Sequence, residues 1–159
     1  MELDRVDRQL LNLVQQDSSR TAEQLASQLA NSPSAVQRRL RRLREEDVIV
    51  REVAVVDPKK VGGPTFFVVS LQVERDRPES LTRLRAWVGR EPCIQQAYYV
   101  TGEADFVLIA IAQNTEAYDA LMSRLMAENP NVVKFSTNVT LGIVKRGLAI
   151  PISSAAAEG

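Results

Sequence analysis

The sequence predicts an α+β protein in two parts: an N-terminal helix-turn-helix domain, winged-helix-like, joined to a C-terminal ferredoxin-like βαββαβ domain. Three observations predict it. Residues 1 to about 47 carry apolar side chains at helical spacing, with two helix-start signals separated by a very short turn. Residues 48 to 150 instead mix strand-like and helical stretches in the order β, α, β, β, α, β. Between these blocks, Asp57-Pro58-Lys59-Lys60-Val61-Gly62-Gly63-Pro64 reads as a linker. The expected organisation is therefore 1–56 as the helical domain with a connecting strand, 57–64 as linker, 65–152 as the second domain, and 153–159 as a flexible tail.

The first helix is expected to open at Asp4, whose carboxylate caps free amides, and to run to about Gln16. Leu3, Leu10, Leu11 and Val14 form its buried side. Thr21-Ala22-Glu23-Gln24 is a capping box for a second helix, in which Thr21 and Gln24 satisfy each other's end groups. Only Ala30 and Asn31 then intervene before Ser32, which caps a third helix with Pro33 at its first position. Two short helices across so tight a turn match a helix-turn-helix.

The third helix concentrates charge. Arg38, Arg39, Arg41, Arg42 and Arg44 crowd into seven residues with no acid among them, although the whole chain balances to zero formal charge. Val36, Leu40 and Leu43 share one buried stripe. At about 100° per residue, Ser34, Arg38 and Arg41 fall opposite it, with Gln37 and Arg42 flanking and Arg39 nearer the core edge. A generic charge run is most often a solvated face. Here its single sign, its place after a tight helical turn, and Ser34 and Gln37 near its start point to a recognition helix in the DNA major groove. Arginine pairs bidentately with guanine and glutamine with adenine, while Ser34 and the helix amino-terminus suit phosphate.

In the second domain the pattern predicts strands 65–75, 94–101, 104–112 and 132–146, with helices 78–90 and 115–128. Thr115 is the expected cap of the second of these helices, and Pro130 its stop. Gly102 makes a tight connection between Tyr98-Tyr99-Val100-Thr101 and Ala104-Asp105-Phe106. Two helices cover one face of such a sheet. The other, apolar at alternate positions, is expected to bury itself against a second copy.

Composition narrows the function. A 159-residue chain that is 45% hydrophobic and 25% charged is an ordinary soluble globular protein. An aromatic share of 5% argues against a stacking platform for single-stranded nucleic acid. Apolar runs such as Phe106 to Ala112 are too short to span a bilayer, and the acidic, polar start does not read as a signal peptide. A lone Cys93, read as a packed small residue beside Pro92, fits a reducing cytoplasm. With no histidine, the commonest general base and metal ligand are missing, so no catalytic residue, metal or cofactor is expected.

Together these features resemble the Lrp/AsnC, or feast/famine, family of transcriptional regulators. The residues that carry the resemblance are Leu3-Asp4-Arg5-Val6-Asp7-Arg8-Gln9-Leu10-Leu11, the stretch from Ser32 to Leu43 followed by Val48-Ile49 and Val55-Val56-Asp57-Pro58, and the turn Thr101-Gly102-Glu103-Ala104-Asp105. The resemblance implies a cytoplasmic regulator binding double-stranded DNA as a homodimer that assembles further, to tetramers or octamers, under control of an amino acid or related metabolite. Thr21, Ser32, Ser34, Gln37, Arg38, Arg41 and Arg42 are then the expected DNA contacts. Thr101, Gly102, Glu103 and Asp105 match the family's effector motif, with Ser136, Thr137 and Asn138 as weaker candidates. A plain turn, closed by Gly102 and capped by Asp105, explains the motif equally well.

The family places glycine in the turn before its recognition helix and again before the following isoleucine, where this chain has Ala30 and Asp47. Asn31 tolerates a left-handed backbone and is expected to take over part of the turn's work. Two other functions fit the same scaffold. Some relatives of this architecture are sirohaem decarboxylases that use basic residues including histidine, which this chain lacks. An effector-sensing partner without DNA binding would have no use for the arginine-rich face.

Overall fold

Helix α1, Arg5–Gln16, begins where Asp4 accepts the Asp7 amide hydrogen while the Asp7 carboxylate accepts that of Asp4. This reciprocal cap settles amides that a helix start otherwise leaves open. The computed structural model describes residues 2–74 and 78–153. Helix α2, Ala22–Leu29, carries the Thr21/Gln24 box, and α3, Pro33–Glu45, is capped by Ser32 with Pro33 in its first turn. Leu10, Leu11, Leu25, Ala26, Val36, Leu40 and Leu43 are buried where the three helices meet.

The turn between α2 and α3 departs from expectation. Ala30, not Asn31, takes the left-handed conformation, at φ 50°, and its amide donates to the Ala26 carbonyl. Asp47 does the same after α3, at φ 54°, while the amides of Val48 and Ile49 close on the Leu43 carbonyl. Both are side-chain-bearing residues in a conformation that suits glycine, at a cost of about 1 kcal/mol each.

Beyond α3 the expected connecting strand is absent among the described residues. Residues 48–57 belong to no strand, and Val50, Val53, Val55 and Val56 are all exposed. A strand exists only as part of a ladder, and no strand among the described residues pairs with this segment. Pro58–Val61 form a 3₁₀ turn capped by Asp57, so the expected linker is partly structured.

The second unit holds β1 (Thr65–Val73), α4 (Pro78–Arg90), β2 (Ile94–Tyr99), β3 (Phe106–Ala112), α5 (Thr115–Glu128) and β4 (Val132–Val139). The sheet is antiparallel with order β2-β3-β1-β4; β1, β2 and β4 stop short of their expected ends, and β3 starts two residues late. Asn114, not Thr115, caps α5, accepting the Ala117 amide hydrogen; Pro130 follows its end. Phe67, Val69, Leu71 and Val73 of β1 and Phe106, Leu108, Ala110 and Ala112 of β3 bury against Leu84, Trp87 and Val88 of α4 and Leu121, Met122 and Leu125 of α5. By strand alternation, Val68, Val107, Ile109 and Ile111 then line the opposite face, where they remain half-exposed.

The units are not divided as the sequence suggests. One comprises Met1–Val55 with Lys145–Gly159, the other Val56–Val144. The chain's last stretch thus belongs with the helical unit, because Ile152 packs on its core and the Asn12 and Gln15 side chains bind the backbone of Ile152 and Ile150. The expected tail lies outside the described residues except for Ser153.

Candidate nucleic-acid interface and ligand edge

Helix α3 sorts its arginines by what α1 offers them. Asp7 is fully buried, and its carboxylate receives Arg39 Nη1 at 2.7 Å and Arg42 Nη2 at 2.5 Å. Asp4 takes the same Arg39 nitrogen at 2.6 Å. The amide hydrogen of Asp7, with help from the Arg39 guanidinium, holds the Asp4 carboxyl below the usual carboxylate range; its two acid neighbours hold Arg39 more firmly protonated. Arg44 reaches Glu52 at 3.1 Å. Arg42, expected among the DNA contacts, is thus committed to bracing α3 on α1.

Arg38 and Arg41 remain. Both are exposed, and neither has an ion pair among the described residues. They lie opposite Val36, Leu40 and Leu43, of which Val36 and Leu43 are completely buried. Gln37 is also exposed and lines a shallow groove with Leu40, Arg41, Arg44 and Glu45. Ser32 is spent as the helix cap, its hydroxyl receiving the Ala35 amide hydrogen and lying 3.3 Å from the exposed Ser34 hydroxyl. Thr21 is likewise spent on the Gln24 amide at the start of α2. Two free guanidiniums, a carboxamide and a hydroxyl on one exposed helix face can bind phosphates and base edges.

At one end of the sheet, three connections gather: residues 100–105, the end of β1 and the turn 129–131. Gly102 turns at φ +117°, a conformation that rules out most other residues. The Asp105 carboxylate accepts the Val73 amide hydrogen at 2.9 Å, and its own amide donates to Leu71. Gln72 Nε2 donates to the Glu103 carbonyl at 2.8 Å, and Glu74 N to the Asn131 carbonyl at 2.8 Å. Asp105 is therefore a fastener of this edge. Thr101, Gly102 and Glu103 are exposed. Ser136 and Asn138 lie on the exposed side of β4, whereas Thr137 bonds the Tyr118 hydroxyl and so faces α5. The structure thus gathers Thr101, Gly102, Glu103 and Asp105 in one turn and leaves Ser136 and Thr137 on a separate strand, on opposite faces.

Known proteins show the same two parts. The model of the AsnC-type helix-turn-helix domain matches residues 3–44, and that of the Lrp/AsnC ligand binding domain matches residues 67–150. An uncharacterized HTH-type transcriptional regulator of Sinorhizobium fredii is 41% identical over 96% of this chain and 90% of its own length. The chain belongs to the Lrp/AsnC family of transcriptional regulators. A solved AsnC family regulator from Agrobacterium tumefaciens covers 94% of it, with 97% of its own chain aligned, at 29% identity and a TM-score of 0.85. A transcriptional regulator of Neisseria meningitidis, solved as an L-Met complex, shares the fold at 21% identity and a TM-score of 0.84, with 94% of this chain and 96% of its own aligned.

Within this Lrp/AsnC regulator, sequence reasoning missed the acceptors that sort the arginines. Their signal was available: Asp4, the N-cap of α1, and Asp7 in its first turn are three residues apart, the spacing at which Arg39 and Arg42 recur on α3. The return of Ile150 and Ile152 to α1 has no comparable signal, because Asn12 and Gln15 read as ordinary polar helix residues.

Proposed function

We propose that this chain is a sequence-specific DNA-binding regulator that acts as a cytoplasmic homodimer and responds to a free amino acid. One observation carries the DNA assignment: on α3, Arg38 and Arg41 stay exposed with no ion pair among the described residues, while their neighbours Arg39 and Arg42 bind Asp4 and Asp7. With equal numbers of acids and bases overall, two free cations beside Gln37 and Ser34 make a local reading surface rather than a general affinity for polyanions. A dimer would present two such helices to successive major grooves, roughly 34 Å apart. The half-exposed sheet face of Val68, Val107, Ile109 and Ile111 supports self-association.

The ligand assignment rests on the exposed turn Thr101-Gly102-Glu103. Amides near Gly102 suit a carboxylate, and the exposed Glu103 carboxylate suits an ammonium, since the bond from Gln72 goes to the Glu103 backbone carbonyl. An amino acid carries both groups. The L-Met complex of the neisserial neighbour supports this class of ligand. No helix among the described residues is long and apolar enough to cross a membrane, which agrees with a cytoplasmic site of action.

The decisive experiment is a band-shift titration against the DNA upstream of the chain's own gene, repeated with a mixed-sequence duplex and across a salt series. Preference for the upstream DNA, falling steeply with salt, is the expected result. Equal affinity for both duplexes sinks the assignment. A thermal-shift screen of the amino acids tests the ligand, since one that binds the native state raises the melting temperature.

A further inference from the structure

Helix α1 does more than brace α3. Further along the helix, Asn12 Nδ2 donates to the Ile152 carbonyl at 2.8 Å and Asn12 Oδ1 receives the Ile152 amide at 3.3 Å. Gln15 repeats the pattern on Ile150, at 3.0 Å to the carbonyl and 2.8 Å from the amide. Each carboxamide therefore pairs with both backbone groups of one residue. The two residues read are two apart, the interval at which an extended chain presents its backbone groups to the same side. We infer that α1 carries a docking site for extended backbone, that Ile150–Ile152 of this chain is its occupant, and that this docking ties the ligand-binding unit to the DNA-reading unit at a second point.

The occupant suits the site. Pro151 stands between the two read residues, where an extended chain points its backbone groups away from α1, so its missing N–H leaves no acceptor unmet. A proline also restricts the residue before it to extended conformations, which prepares Ile150 for pairing. The Ile150 side chain is 66% exposed, so recognition at that position is through backbone alone. Ile152 adds an apolar anchor against the helical core.

Upstream, β4 leads directly to this segment. Thr140 is fixed to the Phe66 carbonyl by its amide at 3.0 Å and its hydroxyl at 2.9 Å, and residues 141–149 then run with no assigned element. With the segment docked, the chain joins the two units at 55/56 and again across 144/145; undocked, it joins them effectively once. Four partly solvated hydrogen bonds and one half-buried isoleucine gain only modestly over water and are offset by ordering the segment, so docked and free states lie close in free energy. Such a contact can be opened or closed by a modest bias. Its functional consequence rests on the proposed ligand-controlled DNA reading: α1 holds the segment with Asn12 and Gln15 and holds α3 through Asp4 and Asp7.

The test uses the full chain, an Asn12→Ala/Gln15→Ala double variant, and a chain ending at Gly147. Hydrogen exchange should show the Ile150 and Ile152 amides at least about tenfold faster in the double variant, with Val69 and Leu108 unchanged. Unchanged exchange at Ile150 and Ile152 overturns the docking site. DNA carrying one half-site should bind both variants within about twofold of the unaltered chain, while the gain from adding a second half-site falls at least about tenfold, because the readers lose their mutual restraint. An undiminished two-site gain in both variants overturns the tie between units. If the unaltered chain prefers neither duplex over mixed-sequence DNA, the regulator reading fails, and the exchange rates still decide the docking.

Discussion

Helix α3 and the 101–105 turn both carry charged side chains that fit a ligand, yet they dispose of them differently. On α3, Arg39 and Arg42 are matched by Asp4 and Asp7, while Arg38 and Arg41 have no ion pair among the described residues. In the turn, Asp105 is consumed by the Val73 amide and only Glu103 keeps its carboxylate outward. A helix face separates bracing residues from reading residues by angle. A turn separates them only by which neighbouring strand ends beside it.

That contrast can be attacked directly. An Arg38→Ala/Arg41→Ala variant should lose ~1–3 kcal/mol of specific DNA affinity per base contact removed, with little change in melting temperature. Equal losses of affinity and thermal stability would erase the distinction between free and committed arginines. Asp7→Ala should do the opposite, costing about 3 kcal/mol in denaturant unfolding of the helical unit, since it removes the buried partner of two guanidiniums. Removing a negative charge favours any polyanion by simple electrostatics. The variant should therefore bind mixed-sequence DNA at least as well as before while its preference for the upstream site declines.

In the second unit, Asp105→Ala should destabilise by about 2 kcal/mol, the scale of a hydrogen bond to a charged acceptor, while Glu103→Ala leaves unfolding unchanged and weakens the ligand-induced thermal shift. A smaller effect is expected at the strained turns. Ala30→Gly and Asp47→Gly should each stabilise by about 0.5–1 kcal/mol in urea unfolding. The smallest belongs to Asp4. Its pKa is depressed by folding, so its share of stability is complete above the unfolded value near pH 4 and is lost as pH falls through the folded value. Unfolding of Asp4→Asn should show a flatter acid limb than the unaltered chain.

The helices were legible because local chemistry decides them. Asp4, Thr21 and Ser32 cap the helices they were expected to cap, and the buried stripe of α3 follows from spacing alone. The order of strands and helices in the second unit followed from period and turn residues. What stayed hidden depends on partners distant in sequence. Arg42 looks as free as Arg41 until Asp7 is placed beside it, and Asp105 looks like a ligand until Val73 ends next to it. The connecting strand expected before residue 57 failed for a related reason, since apolar residues at extended spacing do not say whether a strand lies beside them to pair with. Ala30 was missed because intrinsic preference favoured Asn31, while the geometry of the tight turn set the requirement one residue earlier.

The helical unit is assembled from both ends of the sequence, and this orders events on the ribosome. Residues 1–55 leave the exit tunnel ahead of the sheet and can form their three helices early. The carboxamides of Asn12 and Gln15 nevertheless wait until the whole sheet has been translated before Ile150 and Ile152 reach them. The part that reads DNA is begun before the sheet and finished after it.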